Sequence, residues 1–110
     1  MAEDLTPQQR YALTQVNIYQ QQLQIMMSQR QQVELQIKET ELAVEELEKE
    51  KEEFVFKAIG PALIKKPREA VIKDLKEVKE KLETRLKTFQ AQEKKLNEKL
   101  RDLSSQAKGK

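Results

Sequence analysis

Cysteine and histidine are both absent from the 110 residues. Without thiols there can be no disulfide framework and no thiolate metal site. Without imidazole the chain lacks the usual proton carrier near neutral pH and the commonest metal ligand. Glycine occurs twice and proline three times, which leaves little material for loops and none for a glycine-rich phosphate cradle. No run approaches the roughly 18 apolar residues of a membrane span. The opening stretch Met1 to Thr6 has no basic region followed by an apolar one, so a secretory signal is not expected and a soluble cytoplasmic protein is. No nucleophile and base set stands out among these residues. Paired carboxylates such as Glu45 and Glu46 read as solvated surface. The expectation is a protein that is not an enzyme and takes no metal or cofactor.

What is present is charge and helical periodicity. Hydrophobic residues make up 37% and charged residues 36% of the chain. That balance fits one domain of long helices with a narrow apolar seam better than a globule with a thick core. Thr6-Pro7-Gln8-Gln9 is a helix start: Thr6 as cap, Pro7 with its preset φ, Gln9 as the box partner. With Val16 at position a, the a series is Val16, Leu23, Arg30, Ile37, Val44 and Lys51. The d series is Tyr19, Met26, Val33, Thr40, Leu47 and Phe54. This is a coiled-coil seam over a first helix predicted at 7–53, interrupted by Arg30, Thr40 and Lys51.

Away from the seam, Tyr11, Ile18 and Ile25 recur every seven residues at position c. Leu13 and Met27 add apolar surface at position e. The polar residues around them are mostly glutamine, and formal charge is nearly absent from Tyr11 to Gln29. Such a stripe either packs on another helix or is an exposed adhesive surface for other proteins.

Residues 54–66 break the helical pattern. Phe54 to Ala58 is aromatic and β-branched enough for a strand, Gly60-Pro61 punctuates it, and Ala62 to Lys65 forms a second strand. Apolar residues fall on both faces: Phe54, Phe56 and Ala58 on one, Val55 and Ile59 on the other. A lone two-stranded hairpin is marginal in water and has free edges. Pairing with hairpins of other chains in a sheet or barrel satisfies it; an apolar turn packed on its own helices is the alternative.

A second helix is predicted at 67–106, with a frayed tail at 107–110. Its seam is Leu75, Leu82, Phe89, Leu96 and Leu103 with Ile72, Lys79, Leu86, Glu93 and Leu100. Folding it back on the first helix sets Leu47 near Leu75, Leu23 near Lys99 and Val16 near Ser105. The acidic stretch Lys38 to Glu53 then faces Lys73, Lys76, Lys79 and Lys81. The predicted fold is mainly α, a long antiparallel two-helix coiled coil joined by one short β-hairpin that pairs with other subunits in a β-barrel. The basic clusters Lys65, Lys66, Arg68 and Lys94, Lys95, Lys99, Arg101 raise nucleic-acid binding. Acids interleave with them and aromatics do not, so stacking on bases is poorly served.

Taken together, Tyr19-Gln20-Gln21-Gln22-Leu23, the central Val55-Phe56-Lys57-Ala58-Ile59-Gly60-Pro61-Ala62-Leu63-Ile64-Lys65 and Leu82-Glu83-Thr84-Arg85-Leu86 resemble prefoldin. The likeness is to its β class, the archaeal β subunit and eukaryotic subunit 6. It covers almost the whole chain. Heptads are unspecific; the single hairpin between two helices carries most of the likeness, since the α class has two hairpins.

The resemblance implies an ATP-independent molecular chaperone subunit that takes no cofactor. Four β-class and two α-class subunits would form a hexamer (α2β4) through a double β-barrel. Its coiled-coil tips would hold unfolded client proteins, prevent their aggregation and pass them to a group II chaperonin. The expected client-binding residues are Leu5, Tyr11, Leu13, Val16, Ile18, Ile25, Leu96, Leu100 and Leu103. The expected assembly residues are Phe54, Val55, Phe56, Ala58, Ile59, Gly60, Leu63 and Ile64. Neither nucleic acid nor membrane is an expected partner. The competing functions are a structural or scaffolding coiled coil and an RNA-binding helical arm.

Overall fold

A computed structural model describes residues 4–107. The elements run α1 (Pro7–Lys49), β1 (Phe54–Ile59), β2 (Ala62–Pro67) and α2 (Arg68–Ala107). The tail expected at 107–110 lies outside the described residues beyond Ala107.

Helix α1 begins as its sequence dictates. The Gln9 N–H donates to Thr6 Oγ1 at 3.1 Å, and the Thr6 N–H donates to Gln9 Oε1 at 2.9 Å. This reciprocal pair satisfies two otherwise orphaned backbone donors. The helix stops at Lys49, four residues before the predicted 53. Two forces end it there. Glu50 turns its carboxylate onto the N–H groups of Lys51 and Glu52, at 3.2 and 3.4 Å, a local bond that competes with the helical ladder. The last turns are also crowded with glutamates, which the negative end of the helix dipole disfavours. Lys51 and Phe54, expected as the last seam residues, therefore lie outside the helix and are exposed.

The hairpin is a two-stranded antiparallel sheet in which Phe54 pairs with Pro67, Phe56 with Lys65, Ala58 with Leu63 and Ile59 with Ala62. β1 runs one residue and β2 two residues past the expected strand ends. Pro67 closes β2 instead of opening α2; it has no N–H to give a ladder and sits at the strand's end, where none is needed. Arg68 then starts α2, and its N–H donates to the Glu53 carbonyl at 2.8 Å, closing the base of the hairpin. The turn is Gly60-Pro61, with Gly60 at φ +56°. Positive φ at the first turn residue followed by a proline is the sign pattern of a type II′ turn, the kind that suits strand twist.

Contacts divide the chain into two compact units, Val33–Leu86, which holds the hairpin, and Met1–Gln32 with Lys87–Lys110, which holds the free helix ends. In the hairpin unit Val33, Ile72 and Leu82 are buried. Ile37, Val44, Leu47, Leu75 and Leu86 are half-buried around them. Glu48 meets Lys76 at 3.7 Å and Glu41 meets Lys79 at 3.9 Å, so the two helical segments run antiparallel. Arg68 reaches back to donate from Nη1 to the Leu47 carbonyl at 3.1 Å, capping the end of α1.

In the helix-end unit Ala12 is fully buried. Val16, Tyr19, Leu23 and Met26 of α1 are half-buried, as are Phe89, Leu96, Leu100 and Leu103 of α2. Arg30 and Glu93, both seam positions, form an ion pair at 2.6 Å with side chains only 21% and 15% exposed. Lys99 lies 5.3 Å from the ring centre of Tyr19, a cation–π contact that also joins the segments in antiparallel order. Each predicted helical seam residue is thus covered, but thinly. Among the described residues no large side chain is fully buried.

Candidate functional site

A chain with so thin a seam leaves much of its apolar surface in solvent, in two separate places. In the helix-end unit Tyr11, Leu13, Ile18 and Ile25 are exposed, Tyr11 at 65% and Ile25 at 60%. Their position in the heptad explains this: the c residues Tyr11, Ile18 and Ile25 of α1 lie outside the a and d seam and the e residue Leu13 only flanks it, and helical periodicity holds them there. Residues 11–29 contain no Asp, Glu, Lys or Arg. The apolar side chains are thus set among neutral amides and carry no competing fixed charge of their own helix.

The other residues expected to bind clients sit differently. Leu5, Val16, Leu96, Leu100 and Leu103 are half-buried. The last four are seam residues and show only an edge to solvent. A cleft of about 240 Å³ brings the two groups together: Tyr11 and Leu103 line it with Gln15, Tyr19, Lys99 and Asp102. A second, more polar cleft of about 610 Å³ on this unit is lined by Arg30, Glu93, Lys94, Glu98 and Arg101, among others.

In the hairpin unit the sheet is nearly bare. Phe56 is 68% and Leu63 70% exposed, and Phe54, Ile59 and Ile64 are exposed as well. Ala58 and Gly60 are exposed too, and Val55 is half-buried. Strand pairing places Phe54, Phe56, Ala58 and Leu63 on one face and Val55, Ile59 and Ile64 on the other. Lys65 stands 4.7 Å from the Phe54 ring centre. A groove of about 640 Å³ runs beside β1, bounded by Glu50, Glu52 and Glu53 and floored by Phe54, Val55 and Phe56. A sheet of two strands with apolar groups on both faces is a surface that more protein must cover.

Three exposed apolar residues escaped the sequence reading: Leu35 and Leu42 on α1 and Val78 on α2. Leu35 and Leu42 are seven residues apart, the same spacing that revealed the Tyr11 stripe. The dense charge around them masks it. The sequence reading noted Arg30 as an interruption and Glu93 as a seam position without pairing them, although their opposite signs at seam positions are the signal. Among the described residues no cluster of His, Cys, Asp and Glu could hold a metal ion. No helix there is long and apolar enough to cross a membrane.

A family profile described as "Prefoldin subunit" matches residues 11–110. The prefoldin subunit beta of Thermococcus kodakarensis is 39% identical over 105 residues, covering 94% of this chain and 90% of the relative. That of Archaeoglobus fulgidus is 46% identical over 96 residues, covering 86% and 83%. The crystal structure of the prefoldin beta subunit from Thermococcus strain KS-1 superposes with a TM-score of 0.87 at 40% identity, over 93% of this chain and 90% of that one.

Proposed function

The chain belongs to the prefoldin family, and from that premise we propose that it is the β-class subunit of a chaperone that holds non-native proteins without ATP. The observation that carries the reading is the bare apolar stripe Tyr11, Leu13, Ile18 and Ile25 on a stretch of α1 without formal charge. Each of these side chains can cover an apolar group of an unfolded chain, at about 25 cal/mol per Å² removed from water. The half-buried Leu5, Val16, Leu96, Leu100 and Leu103 add their exposed edges to that surface. A single unit offers weak contact. Several copies acting on one client raise the effective affinity by ~10² to 10⁴ while each contact stays easy to release.

The exposed hairpin supplies the copies. Edge pairing of β1 and β2 with other subunits satisfies their open backbone groups and covers Phe54, Phe56, Ala58, Ile59, Leu63 and Ile64. The proposal extends to a hexamer of four β-class and two α-class subunits, a cytoplasmic setting and hand-over of the client to a group II chaperonin. Catalysis has no place in this mechanism. Holding and release follow from many weak contacts made and broken.

The test replaces Tyr11, Leu13, Ile18 and Ile25 by Gln, which keeps helix propensity and removes the apolar surface. Assembled with an α-class subunit, the variant should keep the mass of the unaltered complex and lose most suppression of aggregation of a thermally unfolding client. Unchanged suppression at equal concentration would refute the stripe as the holding surface. Amides of residues 11–25 that are already protected from hydrogen exchange in the client-free assembly would favour a scaffold whose stripe is a permanent helix interface.

A further inference from the structure

Resting on the holding function proposed above, one feature of the helix-end unit narrows the class of client. The unit Met1–Gln32 with Lys87–Lys110 contains nine Lys and Arg against five Asp and Glu, a net charge of +4. The hairpin unit contains twelve bases and fourteen acids, a net charge of −2. The positive excess is therefore confined to the unit that bears the bare apolar stripe.

Side-chain geometry strengthens the bias. Of the acids on the described α2 segment of this unit, Glu93 is taken up by Arg30 at 2.6 Å. Glu98 and Asp102 remain against Lys87, Lys94, Lys95, Lys99 and Arg101, all exposed. Lys99 is held over the Tyr19 ring in the cleft that also presents Tyr11. Asp102 offsets Lys99 inside that cleft, so the excess acts from the bases around it. The stripe itself brings no carboxylate to neutralise them.

We infer that the helix-end unit selects apolar segments of non-native polypeptides that are flanked by Asp and Glu. Apolar contact with Tyr11, Leu13, Ile18 and Ile25 supplies adhesion. Lys99 beside Tyr11 and the exposed bases elsewhere on α2 of the same unit attract acidic segments, speed encounter and disfavour basic ones. Because the bases are exposed, salt weakens the selection, with a screening length of about 8 Å at physiological ionic strength.

The experiment uses the assembled complex and one probe in two charge states: reduced, iodoacetamide-alkylated α-lactalbumin, acidic and unfolded, before and after amidation of its carboxylates. Binding is measured by fluorescence anisotropy at about 50 and about 300 mM KCl. The acidic form should bind roughly tenfold tighter than the amidated form at low salt, and most of that ratio should vanish at high salt. Lys95→Glu with Arg101→Glu brings the unit's net charge to zero. It should abolish the preference while binding of the amidated form persists, with helicity and complex mass unchanged. Equal, salt-independent binding of both forms by the unaltered complex overturns the inference and leaves the holding function standing. Capture of neither form overturns both. Tighter and more salt-sensitive binding of single-stranded poly(U) than of the acidic form also overturns the inference, because the bases would then serve nucleic acid.

Discussion

Arg30 and Glu93 show how one polar layer can specify a fold at a cost in stability. Both occupy seam positions, and the pair is largely shielded from water. Sliding one helix by a heptad would set each charge against leucine or isoleucine, and an uncompensated charge there is expensive. Arg30→Leu alone should lower stability by roughly 2 kcal/mol, between the values for exposed and fully buried pairs. Arg30→Leu with Glu93→Leu should recover that loss or exceed the original stability, because it removes both desolvation penalties. Thermal melting followed by circular dichroism checks this. A double variant no more stable than the single one would show that the pair does not act as a unit. Arg30 was visible in the sequence as a break in the heptad pattern, and Glu93 as a charged residue at a seam position. The predicted offset, with Leu23 near Lys99, already sets Arg30 beside Glu93; how far the pair is shielded from water was not legible.

Among the elements, the hairpin was the most legible. Aromatic and β-branched residues around Gly60-Pro61 marked its two strands, and the alternation assigned their faces. Its ends were less so. Glu50 ends α1 by bonding its own following backbone, a choice that helix propensity alone does not reveal, since glutamate is a good helix former. Gly60 has open space around its α-carbon but a φ of +56°. Gly60→Val should thus act through backbone strain alone, costing about 1–2 kcal/mol. The loss should appear as a weaker assembled complex in thermal melting; an unchanged melting temperature would mean that the turn relaxes to another type. Phe56→Asp with Ile64→Asp places charge on both faces of the sheet. It should prevent assembly while the helical signal persists, as read by native mass spectrometry. An oligomer of unaltered mass would remove the hairpin from the interface.

For the whole molecule, the thin seam and the bare sheet have a joint consequence. A chain that buries no large side chain completely among its described residues gains much of its stability from partners, since binding to the folded form alone shifts the folding equilibrium. The isolated chain should melt roughly 10 °C or more below the assembled complex, with a midpoint that rises with protein concentration. A concentration-independent midpoint equal to that of the complex would mark a self-sufficient monomer. Heptad spacing located the seam along both helices, because burial follows the 3.6-residue period almost residue by residue. The exposure of the residues proposed to hold clients was only partly legible. The c stripe is exposed as its position demands, while Val16, Leu96, Leu100 and Leu103 serve the seam first, and composition cannot apportion a residue between two such roles.

The proposed holding function requires the stripe on α1 to touch non-native protein directly. A photo-crosslinking amino acid placed at position 18 of the assembled complex tests it most directly, with position 83, on an exposed and charged stretch of α2, as the control. Illumination in the presence of an unfolding client should give abundant crosslinks from position 18 and few from position 83. Equal yields from the two positions, or crosslinks to client from position 83 alone, would rule out the stripe as the holding surface.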